Sequence, residues 1–280
     1  MCTGTSPFQH CFNMRYNLLH RTIANRSGIN IDYRLDGNLF NICRFQARTK
    51  VSMENILELQ YADDCALVAH SPEELEVVLE AASSAYSRMG LSVNIQKTQI
   101  ISQWSAQIPP VQPMFRLAGE DIAQVPSFKY LGSFLSETAS IDDEVQHRLK
   151  QAATSFGRLQ ERVFQNNHLT LCTKVAVYNA VCLTTLLYGC ETWTTYRRHI
   201  RPLEAFHIRC LRKIMGITWQ DRVPHITILE RANNTSIETL IIKQQLRWVG
   251  HVIRMPEERL PHKILYGQLH EGRRAAEDQN

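Results

Sequence analysis

Two adjacent aspartates, Asp63 and Asp64, are the residues whose type and spacing best suit chemistry. They follow an alternating run that ends at Tyr61 and precede an apolar run that begins at Cys65, which predicts two strands joined by a tight acidic turn. Neighbouring carboxylates repel each other, and their surroundings in the sequence are poor in compensating charge. A bound Mg²⁺ ion would relieve the repulsion, because it prefers hard oxygen ligands. The alternative is an acidic turn that is simply exposed to water.

A helix is expected directly after this hairpin. Ser71 is a suitable N-cap, Glu74 completes a capping box, and Gly90 would end the helix, which gives a helix over residues 71–89. The alternating residues 91–95 predict a strand that leads to Lys97.

Further short elements are predicted on either side of this core. Residues 31–45 predict two strands around a turn at Asp36, and the proline-rich residues 108–113 predict a connector. Residues 128–135 predict a pair of strands bent at Gly132.

From residue 140 the apolar period becomes helical. Ser140, Thr170 and Ser236 are predicted N-caps, and Gly189 and Gly216 are predicted helix ends. The last helix carries basic residues at three- and four-residue steps: Lys243, Arg247, His251 and Arg254. We therefore expect an α+β fold, with an antiparallel sheet and a packed helix first and an all-helical region after it.

The charge distribution indicates the class of partner. The whole chain has a net charge of +4, but residues 197–274 carry 15 Lys and Arg against 7 Asp and Glu, a net of +8. Such a basic segment favours a polyanionic partner, nucleic acid first. The alternative is a solvated basic face with no partner.

Composition excludes several other classes. With 280 residues, 44% hydrophobic residues and no C-x-x-C pair among 8 cysteines, the chain is typical of an intracellular globular protein with reduced, mostly buried thiols and no disulfide partner. A zinc site at His207 and Cys210 lacks a second ligand pair with suitable spacing. No signal peptide is recognisable, and no apolar run reaches the ~18 residues of a membrane span, so we expect no membrane partner.

Three segments in order resemble a known family. Tyr61-Ala62-Asp63-Asp64 resembles the Y-x-D-D hairpin of reverse transcriptases, Gly90–Thr98 resembles the next palm motif, and Phe128-Lys129-Tyr130-Leu131-Gly132 resembles the primer-grip hairpin. Their order and spacing resemble the non-LTR (LINE-type) retrotransposon branch. The resemblance implies a partial polymerase palm over residues 1–137, a thumb-like helical region over 138–216 and a basic helical C-terminal region over 217–280.

The same resemblance implies RNA-templated DNA synthesis with Mg²⁺ as cofactor. Asp63 would be the main metal ligand with Asp64 assisting, and Lys97 would neutralise or protonate the leaving pyrophosphate. The primer terminus would be seated by Phe128, Tyr130, Leu131 and Gly132. Phosphates of an RNA template and DNA primer, or of an RNA–DNA hybrid, would be held by Arg197, Arg198, Arg201, Arg209, Arg212, Lys213, Lys243, Arg247 and Arg254; an active enzyme would also bind dNTP. An exposed Lys97 and core aromatics at Phe128 and Tyr130 are the structural alternatives.

One family feature is expected to be missing. The family has a further metal-binding aspartate on an upstream strand, and the only upstream aspartates here are Asp32 and Asp36. Gly4, the pair Ser6-Pro7 and the pair Phe12-Asn13 only partly match a template-positioning motif of the family. We therefore expect a reverse transcriptase domain that starts inside the palm and is not active alone. The alternatives are a non-catalytic nucleic-acid-binding module or a functionless remnant of a transposable element.

Overall fold

The protein has the predicted α+β architecture, seen in a computed structural model that describes residues 28–33, 51–103 and 114–269. These residues fall into two compact units: 28–33, 51–100, 114–125 and 252–269 form the first, and 101–103 and 126–251 form the second. The predicted turn at Asp36, the partial motif between Gly4 and Asn13 and the connector over 108–113 lie outside the described residues. None of the described helices is long and apolar enough to cross a lipid bilayer.

In the first unit, a sheet joins two distant parts of the chain. Strand β1 (Ile29–Tyr33) pairs antiparallel with β2 (Ser52–Ile56) on one side and with β10 (Gly267–Leu269) on the other. Helix α8 (Leu260–Tyr266) leads into β10, and its Lys263 Nζ lies 2.8 Å from Glu54 Oε2 on β2.

The acidic hairpin and the helix after it form as predicted. Strands β3 (Glu58–Tyr61) and β4 (Asp64–Leu67) pair antiparallel, and α1 spans Pro72–Arg88. Ser71 Oγ accepts a hydrogen bond from Glu74 N, which confirms Ser71 as the N-cap. The Glu74 carboxylate accepts a hydrogen bond from His70 N, one residue before the Ser71 N–H that a capping box would use.

Helix α1 is held by two apolar clusters. One contains Val78 and Ala82 of α1 with Leu57, and the other contains Leu79 with buried residues of three further strands. Those strands are β5 (Gln99–Ile100), β6 (Phe115–Leu117) and β7 (Glu120–Gln124), in the order β5-β7-β6. The described strands thus form separate small sheets rather than one antiparallel sheet, and the pair of β5 and β7 is parallel.

The strand predicted over residues 91–95 is wrong. Residues 91–94 are irregular, and a 3₁₀ turn follows at Ile95–Lys97. The side chain of Asn94 accepts a hydrogen bond from Lys97 N at 3.2 Å, and the Thr98 hydroxyl donates to Asn94 O at 2.8 Å. These local bonds satisfy the backbone in a turn, which the alternation of apolar residues could not reveal.

The second unit begins with a hairpin of β8 (Ser127–Tyr130) and β9 (Ser133–Ser136) and continues as helices. The helices are α2 (Asp142–Leu159), α3 (Leu171–Val177), α4 (Thr184–Leu186), α5 (Arg197–Met215), α6 (His225–Arg231) and α7 (Ile237–Ile253). π-helical turns at Gln160–Phe164 and Tyr178–Leu183 extend α2 and join α3 to α4. The predicted helical period is therefore confirmed.

Most of the predicted helix signals in this unit hold. The Thr170 hydroxyl caps α3, Ser236 Oγ accepts from Thr239 N, and Gly189 and Gly216 adopt left-handed conformations with φ of +76° and +68°. Ser140 does not cap α2, because that helix begins at Asp142 and Ser140 Oγ instead accepts a hydrogen bond from Asp142 N.

A buried polar pair lies within the helical core. Tyr178 and His207 are fully buried, and the Tyr178 hydroxyl lies 2.9 Å from His207 Nδ1. Burial lowers the pKa of His207 to about 4, so this imidazole is neutral at pH 7. The thiols of Cys190 and Cys210 are also buried, and burial raises the pKa of each to about 12. Cys65, which the sequence placed inside an apolar run, is exposed.

The low pKa of His207 predicts acid sensitivity. The pKa of His207 is 6.5 in the unfolded chain and about 4 in the folded chain. The contribution of His207 to the free energy of unfolding is therefore complete above pH 6.5 and is lost as the pH falls from 6.5 towards 4. The free energy of unfolding should fall by up to ~1.4 kcal/mol per pH unit from this group alone. Urea titrations of wild type and His207→Phe at pH 7 and 5 measure it; the variant should lose less on acidification. An exposed control, His251→Ala, should behave as wild type, and equal acid losses in wild type and His207→Phe would contradict the assignment.

Candidate functional site

The two aspartates lie side by side at the tip of the first hairpin. Tyr61 pairs with Asp64 across the strands, so Ala62 and Asp63 alone form the turn. Ala62 has φ of +53°, a left-handed conformation that costs an alanine about 1–2 kcal/mol. Both carboxylates are exposed, and no described cation lies within ion-pair distance of either. A strained turn that presents two uncompensated carboxylates to solvent is typical of a site that receives a cation.

One face of this hairpin carries a polar cluster that supports the strands. Glu58 Oε2 accepts a hydrogen bond from Gln60 Nε2 at 2.7 Å and lies 3.8 Å from Cys65 Sγ, although Glu58 is only 8% exposed. The Tyr86 hydroxyl of α1 lies 3.4 Å from the same sulfur. These contacts tie both strands to α1 behind the turn, while Tyr61 beside the aspartates stays 64% exposed.

Within the described residues, no further acidic, histidine or cysteine side chain joins Asp63 and Asp64 in a group that could hold a metal ion. Asp32 lies on β1, where it pairs with Met53 and Gln268 in the strand register. No group of three or more His, Cys, Asp or Glu side chains in the described ranges could hold a metal ion, so His207 and Cys210 gain no further ligand there, in line with the missing second ligand pair in the sequence.

Lys97 is exposed at the end of its 3₁₀ turn. The neighbouring Ile95 packs against the same apolar cluster as Leu67, the last residue of β4. The cluster therefore anchors both the acidic hairpin and the segment of Lys97, although the side chain of Lys97 makes no described hydrogen bond of its own.

The second predicted site, the hairpin of β8 and β9, has a sharply defined turn. Leu131 and Gly132 have φ of +48° and +89°, so both central residues are left-handed, as in the tight turns that match strand twist. Glycine adopts this conformation freely, but leucine does so at a cost and is 41% exposed here. Phe128 and Tyr130 are half-buried on β8, with ring centroids 6.5 Å apart.

A buried ion pair on α2 holds this turn. Glu144 is 2% and Arg148 is 7% exposed, and Arg148 Nε lies 2.7 Å from Glu144 Oε1. The other carboxylate oxygen of Glu144 accepts a hydrogen bond from Phe134 N at 2.7 Å, and Arg148 Nη2 donates to the carbonyl of Gly132. Both side chains therefore bond to the backbone of the hairpin as well as to each other.

The segment Tyr188-Gly189 also packs against the turn of the β8–β9 hairpin. The Arg148 guanidinium carbon lies 4.5 Å from the centroid of the Tyr188 ring, and the Tyr188 hydroxyl donates to Leu131 O at 3.3 Å. A methyl group on Gly132 would meet the Tyr188 ring at 3.4 Å, and one on Gly189 would meet Ser133 Oγ at 3.1 Å. Both glycines thus permit close packing as well as a left-handed turn.

Sequence reasoning missed Glu144, Arg148 and Tyr188 as positioning residues. The available signal was a Glu and an Arg four residues apart, next to the apolar face that contains Val145 and Leu149. Charges at that position in a helix are normally paired when buried.

The basic residues predicted on α5 have different surroundings. Arg197, Arg201 and Arg209 are exposed, and Arg209 lies over the Phe206 ring at 5.5 Å. Arg198 forms a 3.5 Å ion pair with Asp142, so part of its charge is already compensated. The Asp142 carboxylate also accepts a hydrogen bond from the Ser140 hydroxyl and lies 2.8 Å from Nε2 of the buried His199. The bond from Ser140 first, and then the contacts with His199 and Arg198, lower the pKa of Asp142.

Arg212 and Lys213 differ in the same way. Arg212 is half-buried and donates to the carbonyls of Thr218 and Val223, so it stabilises the loop after α5. Lys213 is exposed and donates to Gln160 at 3.0 Å.

The basic stripe on the last long helix is present in part. Lys243, Arg247 and His251 are exposed on α7, but that helix ends at Ile253, so Arg254 lies just beyond it and belongs to the first compact unit. On the same helix Trp248 is 39% exposed, whereas Ile237, Ile241 and Val252 are buried.

The buried ion pair predicts a large difference between two salt bridges of equal length. Arg148→Ala would leave Glu144 buried and uncompensated, which should cost about 3–5 kcal/mol of unfolding free energy. The matched control is Arg116→Ala, because Arg116 Nε also lies 2.7 Å from a carboxylate, that of Asp121, but both side chains are more than half exposed. The control should cost about 0–1 kcal/mol. Urea unfolding followed by circular dichroism measures both, and similar losses would contradict the positioning role.

Comparisons with known proteins identify the relatives of this chain. Residues 37–135, which include both hairpin turns, match the family described as reverse transcriptase (RNA-dependent DNA polymerase). An uncharacterised transposon-derived protein of Caenorhabditis elegans is 23% identical over 216 residues, which are 75% of this chain and 76% of that protein.

The RNA-directed DNA polymerases from the mobile element jockey of Drosophila melanogaster and Drosophila funebris are 24% and 23% identical over 64% of this chain. The matched region spans only 20% of each of these two polymerases. These matches confirm the resemblance found in the motifs: this chain is similar to the reverse transcriptases of LINE-type mobile elements such as jockey.

Proposed function

We propose that this chain forms the catalytic hairpin, primer-grip hairpin and thumb-like helices of an RNA-directed DNA polymerase. The observation that carries the proposal is the strained turn at Ala62, which presents Asp63 and Asp64 side by side to solvent. Both the matched family and the jockey relatives are named for this activity. The substrates would be an RNA template, a DNA primer and dNTP.

The carboxylate pair suits Mg²⁺. This ion is usually held in nucleotidyl-transfer sites by one or two carboxylates together with substrate phosphates, rather than by a complete set of protein ligands. Asp63 in the turn would be the main ligand, and Asp64 at the start of β4 would assist. When bound, the ion would lower the pKa of a primer hydroxyl and neutralise phosphate charge.

The protein's own side chains would do the remaining work. Lys97, exposed and next to a residue anchored on the same cluster as β4, is a candidate to neutralise or protonate the leaving group. The hairpin of Phe128, Tyr130, Leu131 and Gly132 would seat the primer terminus, since its turn is fixed by Arg148 and Tyr188.

Two-metal catalysis would require a further carboxylate ligand. Two ions need more carboxylate ligands than Asp63 and Asp64 supply, and among the described residues no third acidic side chain joins them. We therefore propose that the pair acts with a carboxylate from outside the described residues, and that the described part alone binds Mg²⁺ weakly.

A non-catalytic nucleic-acid-binding module is the second candidate. Exposed cations that pair with no described carboxylate favour it: Arg197, Arg201, Arg209, Lys243, Arg247 and Arg254. Such groups can contact phosphates without reading sequence and without any polymerisation.

Primer extension on an RNA template with Mg²⁺ tests the first proposal. Asp63→Asn should lower the extension rate by at least ~100-fold, because the loss of a metal ligand removes several kcal/mol of transition-state stabilisation. The matched control is Asp143→Asn, an exposed aspartate at the start of α2, which should extend at the wild-type rate. Extension by Asp63→Asn at the wild-type rate would contradict the proposal.

The salt dependence of oligonucleotide binding tests the second candidate. Arg247→Ala with Arg254→Ala should weaken binding to every sequence alike and reduce the slope of log affinity against log salt by about 1.4–1.8, since each phosphate contact contributes about 0.7–0.9. The control Arg116→Ala removes an arginine that is already paired with Asp121 and should leave the slope unchanged. An unchanged slope in the double variant would exclude these two residues from the interface.

A further inference from the structure

The helical unit contains a cleft with apolar walls and a basic mouth. It measures about 600 Å³ and lies between α2 and α5. Its walls include Phe156, Phe206 and Ile208, and its mouth includes Arg209, Lys213 and His225. Among the residues that the structure describes, no acidic side chain lines it. A ligand that matches this surface combines a flat apolar body with negative charge.

An exposed tryptophan lies in the loop beside this cleft. Trp219 is 82% exposed, more than any other large hydrophobic residue in the described part of the chain. Its loop joins Ile217 to His225, and both of these residues line the cleft. The exposed indole offers a large flat apolar face beside the cleft, and tryptophan is enriched at binding surfaces.

Hydrogen bonds brace the backbone of the loop on both sides of Trp219. Thr218 N and the Thr218 hydroxyl both donate to Asp221 Oδ2, at 2.7 and 2.8 Å, and close a 3₁₀ turn at Trp219–Asp221. Arg212 donates to Thr218 O before the turn and to Val223 O after it, the latter at 2.6 Å. The backbone of such a braced loop has little freedom left to lose on binding, so the cost of ordering it is small.

We propose that this cleft and Trp219 bind a single-stranded segment of nucleic acid. Arg209 and Lys213 would contact its phosphates, and unpaired bases would stack on Trp219 and against the apolar wall. A duplex presents mainly phosphates because its bases are stacked inside it, so it would use the basic mouth but not the indole. The inference deepens the proposed function, because it assigns the strand class that the helical region holds.

Single-strand binding by the full chain tests the inference. Fluorescence anisotropy with a labelled oligo(dT) should show that Trp219→Leu weakens affinity roughly tenfold or more, whereas Trp219→Phe retains most of it. Duplex affinity and the salt slope should be unchanged in Trp219→Leu, since no charge is lost. Arg209→Ala with Lys213→Ala should instead reduce the slope by about 1.4 on the single strand.

Matched controls separate the outcomes. Trp248→Leu removes another partly exposed tryptophan and should bind as wild type, and thermal melts should show that Trp219→Leu is folded. Wild-type affinity of Trp219→Leu for oligo(dT), or an equal loss in Trp248→Leu, would overturn the inference and leave the polymerase proposal intact. If Asp63→Asn extends primers at the wild-type rate while Trp219→Leu still weakens oligo(dT) binding, only the polymerase proposal is overturned.

Discussion

The ion pair between Glu144 and Arg148 is the interaction on which the hairpin of β8 and β9 depends. Two charges buried in a helix carry a desolvation penalty that their mutual attraction offsets only when their remaining hydrogen bonds are also made. Here those bonds go to the hairpin: Glu144 accepts from Phe134 N, and Arg148 donates to Gly132 O. The left-handed Leu131 is tolerated because this network, with Tyr188 above it, leaves the turn no other arrangement.

The acidic hairpin solves the opposite problem. Asp63 and Asp64 are exposed and form no ion pair with a described side chain, so the described part of the protein does not offset their repulsion. Polar contacts among Glu58, Cys65 and Tyr86 stabilise the strands behind the turn and leave its tip open. One hairpin is therefore fixed through its turn and the other through its base, which suits one to hold a substrate and the other to receive an ion.

The sequence was most informative where a local signal decided the structure. Ser71, Thr170 and Gly216 mark helix boundaries because capping is a contact between near neighbours. It was least informative at residues 91–95, where Asn94 closes a turn, and at Arg212, whose partners were not readable from a basic helix. The clamp of Glu144, Arg148 and Tyr188 could not be predicted, because its partners come from segments up to 57 residues apart.

The pairing of β1 with β10 sets an order for folding during synthesis. The strand that β1 needs as its second partner ends at Leu269, more than 230 residues later, so the sheet of the first unit cannot close until Leu269 has left the ribosome. The second unit, by contrast, ends at His251, within α7. Contacts distant in sequence form slowly because the loop must close first. The helical unit can thus be complete while the unit that carries Asp63 and Asp64 still has an open edge, which makes β1 the segment that a chaperone would protect.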